Sequence, residues 1–245
     1  MKIEVFAAAE MAAQAAAAFI AAQAWAAVEE RGRFIIALSG GRTPWRMFYL
    51  LGREELPWDR VHVVQVDERV APAGHPDRNL THLRKELLEN VPLSDAQLHA
   101  LPVEAADLDA AAARYGKELS ALAGSPPVLD LVHLGLGPDG HTASLIPGDP
   151  VLDVTASDVA PTGVYQGRRR LTLTYPLLNR ARQIMWLVTG REKAEMLTRL
   201  CAGDLLIPAG RVNRQQALVF ADRAAAGETT SLESRERVCH NPGRD

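Results

Sequence analysis

His141 stands in a run of small and turn-forming residues, Leu134-Gly-Leu-Gly-Pro-Asp-Gly-His-Thr-Ala-Ser-Leu-Ile-Pro147, with Asp139 two residues before it. An imidazole changes charge near neutral pH, so it can take and return a proton, and a nearby carboxylate can orient the ring or raise its basicity. The plain alternative is a surface histidine in a turn. The flanking glycines, which reach backbone shapes that other residues resist, weigh toward a built site. Gly135, Gly137 and Gly140 also satisfy the G-x-G-x-x-G spacing of dinucleotide-binding folds. Pro147 and Gly148, however, stop any following helix within about two turns, and no strong second strand ends at Asp153 or Asp158.

Two further groups have the chemistry of an anion site. Ser39-Gly40-Gly41-Arg42-Thr43-Pro44 lies between an apolar run and a helix start, where backbone N–H groups converge and the helix N-terminus favours negative charge. It lacks the G-x-x-x-x-G-K-[ST] spacing of a nucleotide P-loop, and a plain tight turn is the competing account. Asp67-Glu68-Arg69 follows the apolar run VHVVQV; the competing account is a solvated charge cluster. No G-x-S-x-G elbow and no His-Glu-x-x-His motif occurs, so the expected chemistry is acid-base, with neither metal nor cofactor. His75 and His82 lack a third ligand nearby, and His62, His99 and His240 read as ordinary histidines.

The elements that would position these residues alternate. Arg33–Leu38, Val61–Val66, Leu129–Gly137, Arg170–Thr174, Ile184–Gly190 and Ala217–Phe220 read as strands. Helices are expected after Pro44, over about Leu80–Asn90 and Leu108–Leu122, and from Arg191 to Gly203. This α/β pattern implies a mostly parallel sheet with helices on both faces and ligands at the carboxyl ends of the strands. One domain is expected over residues 1–226, followed by a polar, aperiodic and disordered tail over 227–245.

At 245 residues, 47% of them hydrophobic and 23% charged, with a net charge of -3, the chain reads as a soluble protein with a sizeable core. It has no overall pull toward nucleic acid or anionic membrane, so an anionic ligand needs a local cluster of donors. Cys201 and Cys239 form neither a disulfide framework nor a zinc motif, which points to a reducing, cytoplasmic compartment. The Ala-rich stretch Ala7–Val28 is interrupted by Glu10, Gln14 and Gln23 and reads as a helix lying on a core.

Together, Leu38–Pro44, Val66–Arg69 with His75–Asn79, Gly135–Pro147, Arg170–Asn179 and Ile207–Arg211 resemble, in this order, the 6-phosphogluconolactonase family, over nearly the whole chain. That family is related to the glucosamine-6-phosphate deaminases. The resemblance implies a modified Rossmann-like fold and hydrolysis of 6-phosphoglucono-δ-lactone to 6-phosphogluconate in the pentose phosphate pathway. It casts His141 as the base that activates water and Asp139 as its orienting partner. Ser39, Gly40, Gly41, Arg42 and Thr43 would form the phosphate loop, with Asp67, Glu68, Arg69 and Arg170 as further substrate-binding groups. Arg42, Arg78 and Gly167–Arg170, including Arg168, depart from the family pattern. An amino-sugar-phosphate deaminase or isomerase and a non-catalytic sugar-phosphate sensor are the alternatives. The partner is a small phosphorylated lactone, and the chain is expected to be a monomer or weak homo-oligomer.

Overall fold

Phe34–Leu38 (β2) and Leu131–Leu134 (β6) are buried along their whole length, as expected of strands covered on both faces. The computed structural model describes residues 1–227 and 237–238. In chain order the other elements are β1 (Lys2–Phe6), α1 (Ala9–Arg31), α2 (Thr43–Leu51), β3 (Val61–Gln65), β4 (Asp67–Arg69), α3 (Asn79–Glu86), β5 (Leu98–His99) and α4 (Leu108–Ala123). Then come β7 (Val159–Pro161), β8 (Arg170–Leu173), α5 (Tyr175–Arg180), β9 (Gln183–Val188), α6 (Ala194–Ala202), β10 (Ala217–Asp222) and β11 (Arg237–Val238).

The main sheet has the order β11-β1-β10-β9-β6-β2-β3-β5 and is parallel except for β11. From β2 the chain moves outward through β3 to β5, and from β6 it moves the other way through β9 to β10. The sheet therefore reverses direction between β2 and β6, and the loops leaving those two strands part and open a crevice. The sequence reading correctly expects a parallel sheet but not a second one. Arg170–Leu173 does not join the main sheet; it forms an antiparallel sheet of order β4-β8-β7, which stands on the strand-end side because β4 directly extends β3.

Helix α1 buries Ala12, Ala13, Ala16, Ala17, Ile20, Ala21, Ala24 and Ala27, a spacing that gathers small side chains on one face. By length and composition it could cross a membrane, yet this face packs on β10, β2 and α2. Gly32 ends the helix with φ 73°, a left-handed shape that glycine adopts freely. Of the expected tail, 228–236 and 239–245 lie outside the described residues. Arg237–Val238 runs antiparallel to Lys2 and Ile3.

His133 lies inside β6, 1% exposed, with neither ring nitrogen hydrogen-bonded and its ring edge-on to Phe48. Burial pushes its pKa down from 6.5 to about 3. Between those values the unfolded chain binds a proton that the folded chain refuses. Folding stability is therefore intact above about pH 6.5 and falls as pH drops toward 3, by up to about 1.4 kcal/mol per unit. Urea unfolding at pH 7 and pH 5 should show a loss that is smaller by about 2 kcal/mol in His133→Leu than in the wild type. Equal losses in the two proteins would show that His133 does not set this dependence.

Candidate active site

A cleft of about 610 Å³ opens at the carboxyl ends of the parallel strands. Ser39 to Pro44 reach it from β2, Asp67 and Arg69 from beyond β3, Gly135 to His141 from β6, Leu187 to Lys193 from β9, and Asp222 from β10. This gathers most of the predicted site residues around one cleft.

After β6 the chain makes a tight turn, with Gly137 N–H donating to the His141 carbonyl at 2.8 Å. A Cβ at Gly137 would lie 2.1 Å from His141 Nδ1, and Gly140 holds φ 80° against Ile207, so the glycines are required by contact as well as by shape. Asp139 Oδ1 lies 2.5 Å from His141 Nδ1 and 3.2 Å from its backbone N. A carboxylate accepts the Nδ1 proton and so leaves Nε2 as the free basic nitrogen. The Tyr165 hydroxyl donates to the other carboxylate oxygen at 3.1 Å. Burial works to raise the Asp139 carboxyl. The hydrogen bonds and charge of His141, with the Tyr165 hydroxyl, outweigh it and hold the carboxyl well below the usual carboxylate range.

Strand pairing sets Arg69 directly opposite Arg170. Like charges in register repel, and both Nε atoms are buried without a hydrogen-bond partner. Burial pulls Arg170 below its ordinary value, Asp67 works against that, and Arg69 adds to it. Ser39 Oγ, also on the cleft wall, is likewise buried and unpartnered. The α2 N-terminus carries no side-chain cap. Unspent donors, a helix start and paired guanidinium groups all suit an anion. Two carboxylates on the wall are already engaged: Asp67 accepts from Ser144 Oγ at 2.6 Å, and Asp222 accepts from the Gly190 and Ala225 N–H groups.

Glu68, expected to bind substrate, does not reach the cleft. Strand alternation turns it to the opposite face from Asp67 and Arg69, where it is fully buried. Its oxygens accept from Gln65 Nε2 at 2.9 Å, Arg69 N at 2.8 Å, Asn79 N at 2.7 Å and Leu80 N at 2.8 Å, and Arg78 Nε stands 3.2 Å away. Arg78, a departure from the family pattern, is thus the counter-charge of this carboxylate.

Ser39, Gly40, Gly41, Arg42, Thr43, Asp67, Arg69, His141 and Arg170 all line the cleft, while Asp139 supports His141 from behind. Sequence reasoning missed Lys193, Asn79 and Tyr165. Lys193 follows the end of β9, a strand-end position that could have flagged it; burial pulls its pKa down. Asn79 Oδ1 accepts from Arg69 Nη1 at 2.8 Å, and its Nδ2 donates to the Asp67 carbonyl at 2.9 Å. His75 and His82 serve the neighbouring loop: His75 Nδ1 accepts from Asp77 N, and the His82 ring stacks on Trp45 at 4.4 Å.

The family model described as glucosamine-6-phosphate isomerases/6-phosphogluconolactonase matches residues 7–220. A 6-phosphogluconolactonase of Synechocystis sp. is 40% identical over 209 residues, covering 82% of this chain and 87% of that protein. The solved 6-phosphogluconolactonase of Trypanosoma brucei is 28% identical with a TM-score of 0.79, covering 92% of this chain and 97% of that one. A monomeric glucosamine-6-phosphate deaminase shares the fold at 21% identity and a TM-score of 0.81, covering 93% and 99% of the two chains.

Removing one partner of a buried ion pair leaves the other charge uncompensated, at a cost of about 3–5 kcal/mol. Glu68→Gln keeps the shape of the side chain but leaves Arg78 only the more exposed Glu104, 3.5 Å away, as a counter-charge, and presents N–H to N–H at the start of α3. Denaturant unfolding should show a loss in that range; a loss below about 1 kcal/mol would mean that Glu68 does not hold this corner together.

Proposed function

Because the chain belongs to the glucosamine-6-phosphate isomerase and 6-phosphogluconolactonase family, we propose that it hydrolyses 6-phosphoglucono-δ-lactone, with His141 as general base. The observation that carries this reading is an Asp139-oriented imidazole lining the same cleft as the register-paired Arg69 and Arg170. His141 Nε2 takes a proton from water as its oxygen bonds to the lactone carbonyl carbon. The tetrahedral intermediate then collapses, the ring C–O bond breaks, and the proton is returned to the leaving oxygen. Asp139 stays ionised and stabilises the imidazolium that forms between these steps.

The phosphate is a dianion, and the Arg69–Arg170 pair, the N–H groups of Gly40 to Thr43 and Lys193 are the donors that match it. Its negative charge offsets the like charge of the two guanidinium groups. Asp67 orients Ser144 and balances Arg170; Glu68 is left out of the substrate contacts. No metal or cofactor enters this reading. A cytoplasmic location and a monomeric or weakly self-associating state belong to the same proposal, supported by the lack of a disulfide or basic-surface signature in the sequence.

His141→Asn should lower kcat on the phosphorylated lactone at least about 100-fold with KM little changed, since a transition-state proton transfer is lost. Unchanged kcat would remove His141 from the mechanism, and turnover of glucosamine 6-phosphate by the wild type would move the chain to the isomerase branch. Arg69→Ala should cost about 10- to 100-fold in kcat/KM on the phosphorylated lactone and little on gluconolactone, because only the former carries the charge to be paired. Equal losses on both lactones would place Arg69 at the reacting carbonyl.

A further inference from the structure

Tyr165 lies in a segment without periodicity, between β7 and β8, and sequence reading gives it no role. In the structure its hydroxyl donates to Asp139 Oδ2 at 3.1 Å, while Asp139 Oδ1 meets His141 Nδ1 at 2.5 Å. Its ring stands edge-on to the His141 imidazole, with centroids 5.6 Å apart, and the Arg170 guanidinium carbon lies 5.1 Å from the ring centre. One side chain therefore touches the base, the group that orients the base, and one of the paired arginines.

The backbone that carries Tyr165 is built to hold still. Tyr165 N–H donates to the Arg168 carbonyl at 3.0 Å, and Arg168 N–H donates back at 3.2 Å. Between them Gln166 and Gly167 have φ 51° and 77°, the left-handed pair of a two-residue hairpin turn. Beyond the turn Arg168 is pinned: Nη2 donates to Asp77 Oδ2 at 2.8 Å and meets His75 Nε2 at 3.2 Å, and Nη1 reaches the Val70 carbonyl at 3.4 Å. On the other side Gly163 N–H donates to Asp149 Oδ2 at 2.9 Å. A hairpin fastened at both ends fixes the phenol against the catalytic pair.

We infer that Tyr165 is a positioning residue for the reaction: its hydroxyl locks the Asp139 carboxylate so that the carboxylate holds the His141 ring, and its ring seats Arg170. The inference rests on the lactonase reading of the cleft and deepens it. A carboxylate bonded through one oxygen only can turn about its Cβ–Cγ bond, and the imidazole it holds turns with it; the second hydrogen bond removes that freedom. The phenol also draws off part of the carboxylate's charge. Without it, more of that charge falls on the His141 Nδ1–H, and protonated His141 is favoured. The charged groups near the Tyr165–Asp139 contact are His141, Arg170 and Lys193, and none of them is removed by Tyr165→Phe.

Tyr165→Phe keeps the ring and deletes the hydroxyl. Lactone hydrolysis should lose about tenfold in kcat with KM little changed, and the acid limb of the kcat/KM profile should move upward by roughly half a pH unit. Tyr165→Ala should add a rise in KM for the phosphorylated lactone, since Arg170 loses its seat. The proton NMR signal of His141 Nδ1–H, read without substrate, should shift between the wild type and Tyr165→Phe. Unchanged kcat, an unmoved acid limb and an unmoved Nδ1–H signal would overturn the inference, as would an activity loss that merely follows a lowered melting temperature with the profile unmoved. If the Nδ1–H signal shifts while the wild type fails to hydrolyse the lactone, the positioning contact stands and the lactonase reading falls.

Discussion

The cleft depends on a carboxylate that never touches it. Glu68 is buried at the point where the parallel sheet ends and the small antiparallel sheet begins, and it gathers the N–H groups of Arg69, Asn79 and Leu80 together with the Gln65 amide. A buried charge is tolerated only when its hydrogen bonds and counter-charge are complete, and here Arg78 supplies the counter-charge. By tying β4 to the start of α3, the carboxylate fixes Asn79, which in turn holds the Arg69 guanidinium and the Asp67 backbone. The same Asn79 explains Gly40, where a Cβ would fall 1.9 Å from the amide oxygen. The loop after β2, the acidic strand end and the first arginine are thereby set in one frame.

A second constraint is electrostatic. Antiparallel pairing puts Arg69 beside Arg170, where like charges oppose each other. Asp67 works against this by favouring the charged form of Arg170 while accepting from Ser144 Oγ, and Asp222 is engaged by the Gly190 and Ala225 N–H groups. The chain's small net negative charge does not describe this cleft, where the field is set by local charges.

The Asp139–His141 pair has its own frame, built by the turn after β6. The turn after β6 folds back so tightly that two glycines are required, and this brings Asp139 within 2.5 Å of the ring it orients. Tyr165 is where the two frames meet, in contact with both Asp139 and Arg170. Such a contact lets the Arg170 side and the His141 side of the cleft hold a common geometry.

Much of this was legible in the order of residues. Unbroken apolar runs marked the strands of the parallel sheet, the glycines around His141 marked a demanding turn, and small residues between a strand and a helix start marked the Ser39–Pro44 segment that lines the cleft, all consequences of local backbone and burial preferences. The sequence also carried the adjacency of Asp139 and His141, because two residues across a tight turn have little room to part. What only the tertiary structure decided were pairings between distant segments. The antiparallel partnership of β4 and β8 set Arg69 against Arg170, and the pleat turned Glu68 away from Asp67 into the interior. The β7–β8 hairpin carried Tyr165 onto Asp139. A carboxylate at a strand end has the same chemistry whether it faces a ligand or a helix N-terminus; the face it takes is settled by strand register, and register is set by contacts with residues far along the chain.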